Sequence, residues 1–85
     1  MDIHHVPQGQ PAGQVIPGYD YTDAPAIALP RAEHALIPNL QGVYAGTSQD
    51  LIAQDLENLG NYTNAPQSSI DELGKLIDKL YPGAR

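Results

Sequence analysis

Three histidines are the side chains in this sequence best suited to proton transfer near neutral pH, and two of them are adjacent, in Asp2-Ile3-His4-His5-Val6-Pro7. A neutral imidazole can take a proton from water or hold a metal ion, and few other side chains do both. The third, His34, lies in Pro30-Arg31-Ala32-Glu33-His34. The pattern is that of one metal-dependent hydrolytic site built from His4, His5 and His34, with the rest of the chain as scaffold. Arg31 stands three residues before His34, so on a helix the two share a face, where a guanidinium can clamp a phosphate. Plainer roles stay open for each: solvation for the adjacent pair and for Arg31, and an ordinary helix-face or core position for His34. Glu33 is expected to be solvated.

Other site chemistries lack their parts. The chain has no cysteine, which excludes disulfides and thiolate metal sites. No Gly-rich phosphate loop with a lysine is present, and no GxSxG nucleophile elbow. His4 and His5 are neighbours, so the paired histidines of a helical zinc-protease motif, four apart around a glutamate, are absent as well.

The totals set further bounds. A chain of 85 residues is one small domain or a fragment of a longer chain, and a domain of that size buries only about 60–65% of its unfolded surface. A metal or a partner would therefore add to a thin stability margin. No apolar run is long enough to span a bilayer. Met1-Asp2-Ile3 lacks the basic and apolar pattern of a signal peptide, so any export is expected to depend on something else. Four Lys and Arg stand against ten Asp and Glu, a net charge of −6. A nucleic-acid binder normally carries a basic stripe, and this composition supplies none. Arg31 lies beside the histidines, whereas Asp50, Asp55, Glu57, Asp71, Glu72 and Asp78 all fall in the second half.

The elements that must position the histidines can be read in order. Residues 2–6 favour a short strand ended by Pro7. A regular strand would send His4 and His5 to opposite faces, so it must end or twist there if both serve one site. From Pro7 to Asp23 the Gly, Pro and Gln content predicts a long loop, ordered by Val15, Ile16, Tyr19 and Tyr21. Ala26-Ile27-Ala28-Leu29 predicts a second strand, and Pro30 suits the first position of a helix running to about Ile37, before Pro38. Thr47-Ser48-Gln49-Asp50 has the form of a capping box opening a helix to about Asn58, ending at Gly60, with Leu51, Ile52, Leu56 and Leu59 on its apolar side. Residues 61–66 predict a turn. Ser69-Ile70-Asp71-Glu72 has the form of a second box, opening a helix to about Leu80 with Ile70, Leu73, Ile77 and Leu80 inward and Leu76 at the margin.

The expected fold class is therefore α+β in a single small domain over 1–85. Residues 2–38 form a two-stranded ββα-metal-like part, and residues 47–81 a scaffold of two C-terminal amphipathic helices. In the ββα-metal nuclease scheme one histidine is left free to deprotonate water, while ligands from strand and helix hold a divalent cation against the scissile phosphate.

Asp2-Ile3-His4-His5-Val6-Pro7 followed by Pro25-Ala26-Ile27-Ala28-Leu29-Pro30-Arg31-Ala32-Glu33-His34 resembles the C-terminal toxin domains of RHS-type polymorphic toxins, of the HNH/endonuclease VII group with its doubled histidine. The specific part of the resemblance covers residues 2–34. The resemblance implies that His5 is the general base and that His4 and His34 ligate a divalent metal ion (Mg2+, Mn2+ or Zn2+). Arg31, by the face it shares with His34 rather than by the resemblance, would stand at the scissile phosphate. A further ligand, or an Asn orienting the base, has no clear equivalent; Asp2, Asp20, Asp23 and Asn39 are the candidates. The resemblance also implies a nucleic-acid substrate, DNA ahead of RNA, and a secreted effector acting in the target-cell cytoplasm. A cognate immunity protein would neutralise it. The alternative from the composition is a non-catalytic acidic helical module that binds a partner through its C-terminal helices.

Overall fold

The computed structural model describes residues 1–85. Asp2–His5 form strand β1 and Ala26–Leu29 form strand β2. They pair antiparallel in the register Asp2↔Leu29, Ile3↔Ala28, His4↔Ile27 and His5↔Ala26. The Val6 N–H extends the contact to the Pro25 carbonyl at 3.1 Å. Pro7 then has no N–H to offer, and the ladder stops. Both helices of the C-terminal half follow this sheet in the chain, giving an α+β fold.

Part of the expected loop after Pro7 is a helix, α1 (Gly9–Val15). Two glycines and a proline in seven residues argue against a helix on propensity alone. Pro11 nevertheless lies in the first turn, where a missing N–H leaves no intrahelical bond unmade. Burial of Pro11 and Ala12, with Ile16 sealing the end, supplies what propensity does not. A 3-10 turn, Tyr21–Asp23, closes the excursion; the Asp20 carboxylate caps it by accepting the Thr22 N–H at 3.0 Å.

Helix α2 (Arg31–His34) is a single turn, shorter than the helix expected to Ile37. Beyond it the Leu36 and Ile37 N–H groups bond three residues back, to Glu33 and His34, which tightens the chain and drops Ile37 into the core. Helix α3 (Ser48–Tyr62) opens with the expected Thr47/Asp50 capping box, both of its reciprocal bonds being made. It passes through Gly60 to Tyr62, where the Thr63 N–H and hydroxyl both close on the Leu59 carbonyl. Helix α4 (Gln67–Leu80) begins two residues before the second expected box. Pro66 takes the cap position, and its carbonyl receives the Ser69 and Ile70 N–H groups. Ser69 and Glu72 therefore lie inside the helix. Leu80, expected inward, is 41% exposed, close to its neighbour Leu76.

One core joins these pieces: Val6, Ala12, Ile16 and Leu29 from the N-terminal half meet Leu51, Ile52, Leu59, Ile70, Leu73 and Ile77 from α3 and α4. No helix is long and apolar enough to cross a membrane. A polar link runs beside the core. Asp55 of α3 has no exposed surface, and its Oδ2 accepts the Gln8 backbone N–H at 2.7 Å. The Gln8 side chain in turn donates to the Pro38 carbonyl at 2.7 Å and accepts the Leu40 N–H at 2.9 Å.

Burial pushes the Asp55 carboxyl up from 3.8 to about 6, against the lowering effect of the Gln8 N–H; its Oδ1 has no partner. The fold therefore keeps a proton that the unfolded chain releases between those pH values. Ionisation costs stability as pH rises through that window, about 3 kcal/mol at pH 7 at ~1.36 kcal/mol per pH unit. Asp55→Asn retains an acceptor for the Gln8 N–H without the charge. In urea unfolding, the stability of this variant relative to wild type is expected to rise by about 3 kcal/mol between pH 4 and pH 7; a difference that does not vary with pH would contradict the account.

Candidate functional site

Strand alternation places Asp2 and His4 on one face of β1 and Ile3 and His5 on the other. The turn of α2 packs against β1 and brings His34 to the first face. The His4 and His34 rings lie 5.1 Å apart, edge to face at 60°. His34 Nδ1 sits 3.0 Å from Asp2 Oδ2. An ionised carboxylate only accepts, so Nδ1 carries the hydrogen and the second ring nitrogen, Nε2, is the one left for a ligand. Arg31, on the same turn, holds its Nε 3.6 Å from the other Asp2 oxygen while 89% of its side chain remains in solvent. The His34 hydrogen bond, and after it the Arg31 charge, keep the Asp2 carboxyl below its ordinary value.

His4 is buried, and its Nε2 has neither water contact nor a hydrogen-bond partner. Burial, then the neighbouring imidazoles His34 and His5, push its pKa down from 6.5 to about 4. The ring is thus neutral at physiological pH, with a lone pair or N–H left unsatisfied. His5 is half-buried on the opposite face, where its ring stacks on Tyr21 at 4.1 Å and 28°.

Faces that a flat strand would separate are reunited at the end of β1. A cavity of about 270 Å3 is bordered by His4, His5 and His34 together, with Gln8, Tyr21 and Asn39 around them. A second, of about 370 Å3, shares Gln8, His34 and Asn39 and adds Asp2 and Arg31. A larger cleft, about 540 Å3, lies elsewhere, between α3, α4 and Arg85; its charges Glu57, Asp71, Lys75 and Arg85 are all solvated, and no histidine lines it.

No set of three or more His, Cys, Asp or Glu side chains is arranged to hold a metal ion. The donors suited to one are two imidazoles, the orphaned His4 and the carboxylate-oriented His34. Of the residues considered as a further ligand, Asp2 is engaged with His34, Asp20 with Thr22, and Asp23 is exposed. Asn39 borders both cavities. Glu33, expected to be solvated, instead accepts the Asn64 N–H at 2.8 Å and ties α2 to the turn before α4.

Two site neighbours, Gln8 and Tyr21, and the Asp55 that holds Gln8 had no site role in the sequence, where Tyr21 was only an anchor of the loop. Nothing in the local pattern marks Gln8 or Asp55, whose link spans 47 positions. Tyr21 carried a weak signal as an aromatic in a Gly- and Pro-rich excursion. No protein-family model, curated protein or solved structure matches the chain.

The depressed His4 pKa has the opposite linkage to that of Asp55. Between 6.5 and about 4 the unfolded chain takes up a proton that the fold refuses, so stability is lost on acidification, by about 3 kcal/mol. Across pH 4–6 the contributions of Asp55 and His4 nearly cancel in wild type. A urea-unfolding series is expected to be close to flat there, to fall on acidification in Asp55→Asn, and to fall with rising pH in His4→Gln. Matching slopes in all three proteins would refute the opposed pair.

Proposed function

We propose that this chain is a metal-dependent endonuclease of the HNH/endonuclease VII kind, the toxin domain of an RHS-type polymorphic toxin. It would be secreted, act in the target-cell cytoplasm and be neutralised by an immunity protein. The observation that carries the reading is the cavity at the end of β1, where three imidazoles meet in three different environments.

Each environment suits a different task. His4 is neutral, as a metal-ligating imidazole must be, and its Nε2 has no partner within the protein. His34 donates Nδ1–H to Asp2, the carboxylate–histidine arrangement that orients a ring for a cation on its other nitrogen. A divalent ion held there would neutralise charge developing on the phosphate and on the leaving oxygen. His5, outside that pair and half-exposed, takes a proton from water as the water oxygen attacks phosphorus. The P–O bond to the leaving sugar oxygen breaks, and that oxygen is protonated from solvent. Arg31, at the edge of the neighbouring cavity, faces Asp2 through Nε alone and would meet a phosphate oxygen with its exposed terminal N–H groups.

The net charge of −6 favours a second reading, a non-catalytic acidic module whose helices dock a partner. Purified protein incubated with plasmid DNA and RNA, with Mg2+, Mn2+ or Zn2+, separates the two. Cutting is expected with metal, is abolished by chelator, and falls by roughly 10²–10⁴-fold in His5→Ala. Asp2→Ala is expected to weaken metal affinity by about 10–100-fold in a direct titration. Wild type that leaves both nucleic acids intact, or His5→Ala that cuts as well as wild type, overturns the nuclease reading in favour of the second.

A further inference from the structure

A general base must hold its ring in one orientation, and the three imidazoles differ in what holds them. His34 is fixed by Asp2, and His4 by burial. Neither ring nitrogen of His5 hydrogen-bonds within the protein, and its strand partner across the ladder is the small Ala26. The aromatic group against the His5 ring is the face of Tyr21, stacked at 4.1 Å and 28°.

Tyr21 is itself confined. Its backbone belongs to the 3-10 turn capped by Asp20, with the Ala24 N–H closing on the Tyr21 carbonyl. The edge of its ring lies over Gly9: a Cβ at that position would stand 2.7 Å from Tyr21 Cδ2 and 2.9 Å from Cε2, closer than atoms can pack. Gly9 is in ordinary helical geometry as the first residue of α1, so neither a turn nor a positive φ calls for glycine there. The close approach of the tyrosine does. Yet Tyr21 is 59% exposed, so this contact does little for the core.

We infer that Tyr21 is the positioning residue for His5, holding the imidazole by its face where other sites use a hydrogen bond, and that Gly9 is glycine to admit the tyrosine ring. The inference rests on His5 as the general base. Only the aromatic face is needed; the phenol oxygen plays no part.

Two substitutions separate this from a structural role. Tyr21→Ala removes the platform. Gly9→Ala leaves the tyrosine in place in the sequence but drives its ring aside, while alanine at a helical position leaves the melting temperature no lower. Both are expected to lower kcat on plasmid DNA by roughly 10²-fold with KM unchanged, the cost of a misplaced catalytic group. The double variant should be no worse than either single one, and Tyr21→Phe should restore activity. At fixed pH, the His5 ring protons should lie upfield in wild type and in Tyr21→Phe, and move together to a common downfield position in Gly9→Ala and Tyr21→Ala. His5 resonances that are unchanged in both alanine variants overturn the inference. So does a loss that appears in KM alone, which would make Tyr21 a substrate contact, or kcat that stays at the wild-type value. A wild type that cuts nothing removes the nuclease reading, and the NMR comparison then decides by itself whether Tyr21 holds His5.

Discussion

The link between Gln8 and Asp55 is the constraint on which the rest of the arrangement depends. A two-stranded sheet of four-residue strands has too little surface to be stable alone, and here it carries all three histidines at or near its edge. It is fastened to the helical half through Val6, Ala12 and Ile16 in the core, and through one residue that spends both its backbone and its side chain on the task. Gln8 reaches Asp55 on α3 in one direction and the Pro38 and Leu40 backbone in the other. The segment it grips follows directly from His34, so the same residue fixes where β1 ends and where the chain after α2 begins. That a carboxylate is buried without full hydrogen bonding to receive it indicates how much the position matters; a buried group left half-satisfied is costly in a domain this small.

Elementary strand geometry explains why the three imidazoles differ. His4 points inward because it shares a face with Asp2 and is covered by α2; His5 points away because it is the next residue. A pair of adjacent histidines on a strand is thereby sorted, without further design, into one dry ring and one wet ring. The dry ring loses basicity by burial, and the wet one meets water. Ending the strand at Pro7 allows both to border one cavity, which a longer regular strand would have forbidden. Proline thus serves the site by what it cannot donate.

Much of this was legible from residue types and spacing. The two strands, the turn of helix carrying Arg31 and His34, and the Thr47/Asp50 capping box are local features, and local features are what sequence patterns encode. Helix α1 was not legible, since Gly9, Pro11 and Gly13 argue for a loop and only packing on α3 makes them helical. Ser69 and Glu72 have the letters of a capping box, but Pro66, three residues earlier, fixes the start of α4 by its own geometry. The same limit applies at the site. The histidines announce themselves by chemistry, whereas Gln8 and Asp55 matter only through a contact that joins distant parts of the chain, and Gly9 only through the ring that lies over it.

The acidic balance bears on how such a site would meet a polyanion. A basic stripe lends most nucleic-acid binders an attraction that acts before any specific contact. Here one cation, Arg31, stands near the histidines, and it already faces Asp2. The two imidazoles suited to a metal are a neutral His4 and a His34 whose carboxylate partner sits behind the ring rather than on the ion. A divalent cation on such ligands would keep nearly its whole charge, unlike one bound by several carboxylates. Under the nuclease reading, that retained charge would stabilise the reacting phosphate and would supply at one point the attraction that the surface lacks. On that reading the sparse ligand set and the missing basic stripe would be a single feature, the positive charge being left to the ion.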